Sequence, residues 1–273
     1  MPLTSKNIGI IGAGAMAEAI IKSILESGLI QGAAIWASDI NPDRGRYLTD
    51  QYGISFLENN RDLVGKTDIV IYAVKPFMMG EVLAEISSCA NRQQIHISIA
   101  AGIKLNFIEQ NLPEGIPVVR VMPNTASLIG VGASGYALGK FAGVETEKAV
   151  RVILDCTGVA VKVPEHLINA VTGLSGSGPA YVFMILEALT DGAVKAGLPR
   201  DTAGMLAVQT LIGAARMVQE TGKHPAVLKD MVTTPGGTTI AGLHILEQGK
   251  LRATLMDAVL AATQRADDLG TVK

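Results

Sequence analysis

The chain has 273 residues, enough for two ordinary domains, and 48% of them are hydrophobic, enough to fill a core in each. A net charge of −2 and a pI near 6.1 give no long-range pull toward nucleic acid or anionic lipid. The positive mean hydropathy of +0.34 is never concentrated into the ~20 uninterrupted apolar residues that a membrane span needs, so neither nucleic acid nor membrane is expected as a partner.

From the start, Met1 to Lys6 lead within a few residues into a strand-like segment, leaving no room for a leader peptide. Short β-branched runs follow at Asn7–Ile11, Ala34–Ser38, Asp68–Val74, Gln94–Ile99 and Val118–Met122, with helical patterns between most of them. Alternation of this kind predicts an α/β fold, a parallel sheet covered by helices on both faces. Ala133–Leu138 and Val159–Val163 add candidate outer strands. Cys89 and Cys156 stand alone in apolar segments, which implies neither a disulfide framework nor a metal site and fits a reducing, cytoplasmic setting.

Beyond about Pro164 the pattern is helical. Pro179 opens a helix that runs to Ala196 before Gly197-Leu198-Pro199, and a second runs from Asp201 to Glu220 before Gly222. Shorter helices are predicted over Pro225–Met231 and Thr238–Glu247, and a last one over Leu251–Leu269. The domains therefore divide as 1–164 and 165–273. Between Ala180 and Leu189 only Glu187 is charged, so that helix has almost no face to give to water, and a homodimer is the economical cover for it.

Three groups of residues carry chemistry. The first is Gly12-x-Gly14-x-x-Ala17, placed between a predicted strand and helix. Its glycines permit a tight turn and close approach of a pyrophosphate, with Ala15 and Met16 at the helix N-terminus. At the next strand end, Ser38-Asp39 presents a carboxylate suited to an adenosine ribose, which alone would argue for NADH. Asn41, Arg44 and Arg46 follow, either solvated on a helix face or folding back to meet the 2′-phosphate of NADPH, so preference stays open. The second group, Ala73-Val74-Lys75-Pro76 and Ala100-Ala101-Gly102, lies at the carboxyl ends of further predicted parallel strands, where open sheets bind ligands. There Lys75 either reaches cofactor ribose or phosphate or is an ordinary loop lysine.

The third group comprises Val171 to Pro179 and Val232 to Ile240, each rich in Gly, Ser and Thr and each leading into a helix. Capping needs one such residue per helix, and the surplus hydroxyls and paired glycines are suited to a small anion such as a carboxylate. No histidine sits in an evident pair with a carboxylate.

Those segments, with Ile8–Met16, Ala73–Pro76, Ala100–Gly102 and Met122-Pro123-Asn124-Thr125, resemble pyrroline-5-carboxylate reductases over essentially the whole chain. The resemblance implies a Rossmann-type doubly wound sheet followed by an all-α dimerisation domain, with dimers often assembled into a larger ring such as a decamer. It implies hydride transfer from NADPH or NADH to the C=N bond of 1-pyrroline-5-carboxylate. The substrate carboxylate would meet Thr234, Gly236, Gly237 and Thr238, and the Thr239 hydroxyl would lie near the ring nitrogen. Thr172 and Ser177 would shape the same pocket, and Asn60 would lie near the adenosine end of the cofactor. Met231 departs from the family, which often has a polar residue there. The rival functions are a β-hydroxyacid dehydrogenase, which should need a positioned base such as Lys195, and a non-catalytic NAD(P)-binding sensor.

Overall fold

In the computed structural model, which describes residues 6–270, the chain forms two compact units, one running to Ser177 and resuming at Leu260, the other spanning Gly178–Val259. Residues 1–5, on which the leader expectation falls, lie outside the described range. Among the described residues no helix is long and apolar enough to cross a membrane.

The first unit is built on β1 (Ile8–Ile11), β2 (Ile35–Ser38), β3 (Ser55–Leu57), β4 (Ile69–Tyr72), β5 (Ile95–Ser98), β6 (Val118–Met122), β7 (Gly132–Leu138) and β8 (Gly158–Lys162). They form one sheet in the order β3-β2-β1-β4-β5-β6-β7-β8. Neighbours from β3 to β6 are parallel, β7 runs antiparallel to β6, and β8 runs parallel to β7. Every residue of β1 and β4 is buried, which is why both read as continuous apolar runs rather than alternating ones: helices cover both faces.

Those helices are α1 (Ala15–Glu26), α2 (Pro42–Tyr52), α3 (Asn60–Lys66), α4 (Met79–Ile86), α5 (Leu105–Asn111) and α6 (Val144–Thr157). On α1 the residues Ala17, Ile20, Ile21 and Ile24 recur at helical spacing and are buried, each isoleucine contributing roughly 1.5–3 kcal/mol of apolar burial. Gly9 lets α3 lie on β1, since a Cβ there would strike Leu63 and Thr67.

The chain leaves the sheet through α7 (Ile168–Val171) and a π-helical turn at Thr172–Gly176. Residues 165–177 remain tied to the sheet. The buried Arg120 of β6 meets Glu165 at 3.3 Å and Asn169 at 3.1 Å, and Asn124 donates to the Ser175 carbonyl. Asn169 in turn donates to Asp267 at 2.6 Å, which holds the end of the last helix to the same unit.

The second unit contains α8 (Gly178–Lys195), α9 (Arg200–Thr221), α10 (Pro225–Met231), α11 (Thr238–Gln248) and the first part of α12 (Leu251–Leu269). In the single chain no residue of α8 is buried. Phe183, Met184, Met205, Ile245 and Met256 are all more than 60% exposed, the kind of apolar exposure that marks an interaction surface.

Candidate active site

The topological switch in this sheet falls between β1 and β4, because the chain builds outward from β1 to β3 and then restarts at β4 on the other side. Open parallel sheets bind ligands at the carboxyl end of such a switch. A cleft lies there, lined by Gly12 and Gly14 after β1, Ser38, Asp39 and Ile40 after β2, Asn60, Ala73-Val74-Lys75 after β4, and Met78, Glu81, Val82 and Glu85.

The two glycines of the turn do different work. Gly12 has φ +101°, and a Cβ on it would sit 2.7 Å from the Ala73 carbonyl oxygen, so backbone shape and space both demand glycine. Gly14 has φ −73°, which any residue adopts, and a Cβ there would meet nothing within 4 Å. Its missing side chain leaves room for an approaching ligand, not for the protein. Behind it the first N–H groups of α1 have no acceptor within the helix, and no side chain caps that end. A pyrophosphate fits this donor set and this clearance, so the site suits NAD(P)H.

Asp39 is fixed on both oxygens: one accepts from Ala13 N at 2.6 Å and the other from Asn41 N at 2.8 Å. Asn60, placed at the adenosine end by resemblance, lines the cleft with its amide already engaged, accepting from the Ser38 hydroxyl and donating to Glu85. Arg44 does not turn into the cleft. Its Nε donates to the Ala13 carbonyl at 2.8 Å, its terminal nitrogen lies 2.7 Å from Glu18, and its guanidinium stacks 4.9 Å from the centre of the Tyr47 ring. Tyr47 and Tyr52 also donate to Glu18. Burial pushes the Glu18 carboxyl up, but these donors outweigh it and hold it below the usual carboxylate range. Arg46 pairs with Asp43 at 3.2 Å on an exposed face.

Of the other candidates, Ala15 and Met16 form the first turn of α1, and Pro76 opens the short turn before α4. Ala100, Ala101 and Gly102 follow β5 on the same edge of the sheet without lining the cleft. Gly102 takes φ +77° there. The cleft also contains Met78, Glu81 and Glu85, which sequence reasoning passed over. The signal was present as an i,i+4 acidic pair just after Lys75-Pro76, on a helix whose other face is apolar.

Thr172 and Ser177 belong to the first unit. The Thr172 hydroxyl donates to the Ile168 carbonyl at 3.0 Å, and Ser177 N donates to the Thr172 carbonyl at 2.8 Å across the π-turn. Such turns in a helix concentrate at functional sites. Thr234, Gly236, Gly237, Thr238 and Thr239 come together in the second unit at the start of α11. Its cap residue is Gly237, with no side-chain capping bond, so the neighbouring threonines are not explained as helix caps. Gly236 takes φ +66°, and a Cβ on Gly237 would strike the Thr234 hydroxyl. A cleft lined by Gly236, Gly237 and Ile240 opens beside this turn.

His96 is fully buried in β5, with Nδ1 2.5 Å from the Tyr72 hydroxyl. His224 accepts from Ala226 N at the start of α10, whereas His244 lines the cleft beside the α11 turn, 2.9 Å from the Gln248 amide.

A switch-point cleft with this glycine turn, on a doubly wound sheet followed by a helical unit, defines the class as nicotinamide-dependent oxidoreductases. Residues 165–269 match the family model described as pyrroline-5-carboxylate reductase dimerisation, and residues 7–102 match that described as NADP oxidoreductase, coenzyme F420-dependent. The pyrroline-5-carboxylate reductase of Methanosarcina acetivorans is 46% identical over 98% of this chain and 99% of its own. A solved pyrroline-5-carboxylate reductase from Coxiella burnetii superposes with TM-score 0.92 at 33% identity, covering 98% of this chain and 100% of that one. One from Plasmodium falciparum with NADP bound gives 0.89 at 30%, covering 98% and 99%. The chain belongs to the pyrroline-5-carboxylate reductase family.

Proposed function

We propose that the chain reduces the C=N bond of 1-pyrroline-5-carboxylate with NAD(P)H to give L-proline, the closing step of proline synthesis. The observation that carries this is similarity spanning both halves, at 46% identity over 98% of the chain; a shared dinucleotide domain alone would leave the substrate open. A β-hydroxyacid dehydrogenase or a cofactor sensor accounts for the first unit but not for the glycine-threonine turn at α11.

When bound, the cofactor supplies hydride to the imine carbon. The imine nitrogen, already protonated, takes the π electrons and becomes the neutral ring amine, so the protein has orientation and charge to supply rather than a strong base. The turn residues Gly12, Gly14, Ala15 and Met16 hold the pyrophosphate. Ser38, Asp39 and Asn60 form the adenosine end, and Ala73–Pro76 with Ala100–Gly102 support the rest of the cofactor. Thr234, Gly236, Gly237 and Thr238 bind the substrate carboxylate through N–H and hydroxyl donors at the uncapped start of α11. Thr239 offers its hydroxyl to the ring nitrogen, while Thr172 and Ser177 contribute hydroxyls to the substrate pocket. Residues 1–164 act as the dinucleotide domain and 165–273 as the substrate and dimerisation domain.

The exposed apolar faces of α8, α9 and α11 are covered in a homodimer of interleaved helical halves, and dimers join into a larger ring such as a decamer, in the cytoplasm. Light scattering on the purified chain reads this directly: a monomer would reject the dimer, and an isolated dimer the ring. Absorbance of NADH and NADPH during incubation with pyrroline-5-carboxylate tests the activity. Oxidation of neither, with proline absent from the products, would overturn the assignment.

A further inference from the structure

The adenosine end of the cleft is built from acidic and apolar groups. Asp39, Glu81 and Glu85 line it, with Lys75 the lysine among its lining residues. Ile40, beside Asp39, is 86% exposed and lines the same cleft, an apolar surface left open next to a carboxylate. That combination suits an adenine ring and its ribose diol.

The decisive feature is how Asp39 and Arg44 are held. Asp39 accepts a backbone N–H on each oxygen, at 2.6 and 2.8 Å, so the carboxylate cannot swing away when a ligand arrives. Each oxygen still has a lone pair for a hydroxyl donor. A ribose diol brings donors to this acceptor, whereas a 2′-phosphate brings a second anion and no donor, leaving both charges uncompensated. Accommodation of that phosphate needs a cation at the same place. Arg44, the cation nearest in sequence, is held by Glu18 at 2.7 Å and by the Ala13 carbonyl at 2.8 Å, with Tyr47 against its guanidinium. Moving it would strip Glu18 of its charge partner. Arg46 is paired with Asp43 on the exposed side of α2.

We propose that this chain is selective for NADH, with Asp39 admitting the adenosine 2′,3′-diol and rejecting a 2′-phosphate, and Glu18 positioning Arg44 away from the site where it would offset that charge. The proposal rests on the dinucleotide reading of the cleft and deepens it.

Titration of the purified full-length protein with NADH and with NADPH, followed by nicotinamide fluorescence in the absence of imine, reads selectivity without turnover. NADH should bind at least about tenfold more tightly, a difference of about 1.4 kcal/mol. Asp39→Asn should narrow that ratio, chiefly by tightening NADPH, with some loss of melting temperature because its amide has one acceptor oxygen for the two backbone N–H groups of Ala13 and Asn41. Arg44→Ala and Arg46→Ala should leave the ratio unchanged, because neither side chain meets the phosphate. Equal or tighter binding of NADPH by the wild type overturns the proposal, as does a selective loss of NADPH affinity in either arginine variant. An unchanged ratio in folded Asp39→Asn overturns the role of Asp39. Should that variant not fold, the wild-type ratio and the arginine variants decide. Initial rates with pyrroline-5-carboxylate separate the two readings. Tighter NADH binding with no turnover by either cofactor sustains the selectivity and removes the reductase activity, while turnover with NADPH binding preferred does the reverse.

Discussion

Alanine at Gly12 and alanine at Gly14 should fail in opposite ways, although the residues are neighbours in one turn. At Gly12, φ of +101° costs an L-residue roughly 1–2 kcal/mol. The new methyl would lie 2.7 Å from the Ala73 carbonyl oxygen and 2.8 Å from its carbon, which are backbone atoms between strand and turn that cannot rotate away. Overpacking of that kind adds about 1–3 kcal/mol. The combined loss, about 2–5 kcal/mol, corresponds to a melting temperature lower by roughly 5–15 °C for a chain of this size. At Gly14, φ of −73° and open space within 4 Å leave folding with only the small difference between glycine and alanine as a cap, under about 1 kcal/mol. Its methyl instead occupies the approach to the first N–H groups of α1, and dinucleotide affinity should fall by at least about tenfold, or about 1.4 kcal/mol. Melting curves and cofactor titrations on both variants distinguish the effects. A wild-type melting temperature for Gly12→Ala, or wild-type cofactor affinity for Gly14→Ala, would refute this division of labour.

Thr239→Val keeps shape and removes the hydroxyl, so kcat should drop by roughly 10²-fold or more with melting unchanged; wild-type kinetics would remove Thr239 from the reaction. Glu165→Ala strips the buried Arg120 of its carboxylate and Leu105 N of its acceptor, and should cost about 2–4 kcal/mol in thermal unfolding. Burial holds the His96 pKa down from 6.5 to about 3. The folded state then refuses a proton that the unfolded state accepts, so this contribution is full above pH 6.5 and erodes as pH falls toward about 3, by up to about 1.4 kcal/mol per unit. His96→Gln should flatten the acid limb of stability against pH by one proton, and an unchanged slope would show that His96 is not the group responsible.

The segments easiest to read from sequence were those whose local pattern and tertiary burial agree. The apolar runs of β1 and β4 lie under helices on both faces, and α9 ends at Gly222, which takes φ +63° as its left-handed cap. Elements set by partners far along the chain were harder. Strand β3, Ser55–Leu57, has three half-buried residues, too few for alternation to register. It exists because Trp36, Ala37 and Ser38 offer a free edge. The antiparallel turn of β7 against β6 and the π-turn at Thr172–Gly176 have no local signature; glycine-rich composition points to a loop where the helix in fact continues.

The end of the cleft beside Asp39 shows the same limit. Asp39 stands out as a candidate in the sequence, because one acidic residue at the end of a second strand has a position-specific meaning, and it does line the cleft. The arginines were ambiguous, because a sequence cannot show which carboxylate captures which cation. Glu18 lies 26 residues before Arg44, on a different helix, and it receives two tyrosine hydroxyls as well as the guanidinium. Under the proposed NADH selectivity, Glu18 would act at a distance from the ligand, by fixing where a positive charge is not. A scan for cations near Asp39 counts Arg44 as available; the folded chain has already committed it to Glu18 and the Ala13 carbonyl.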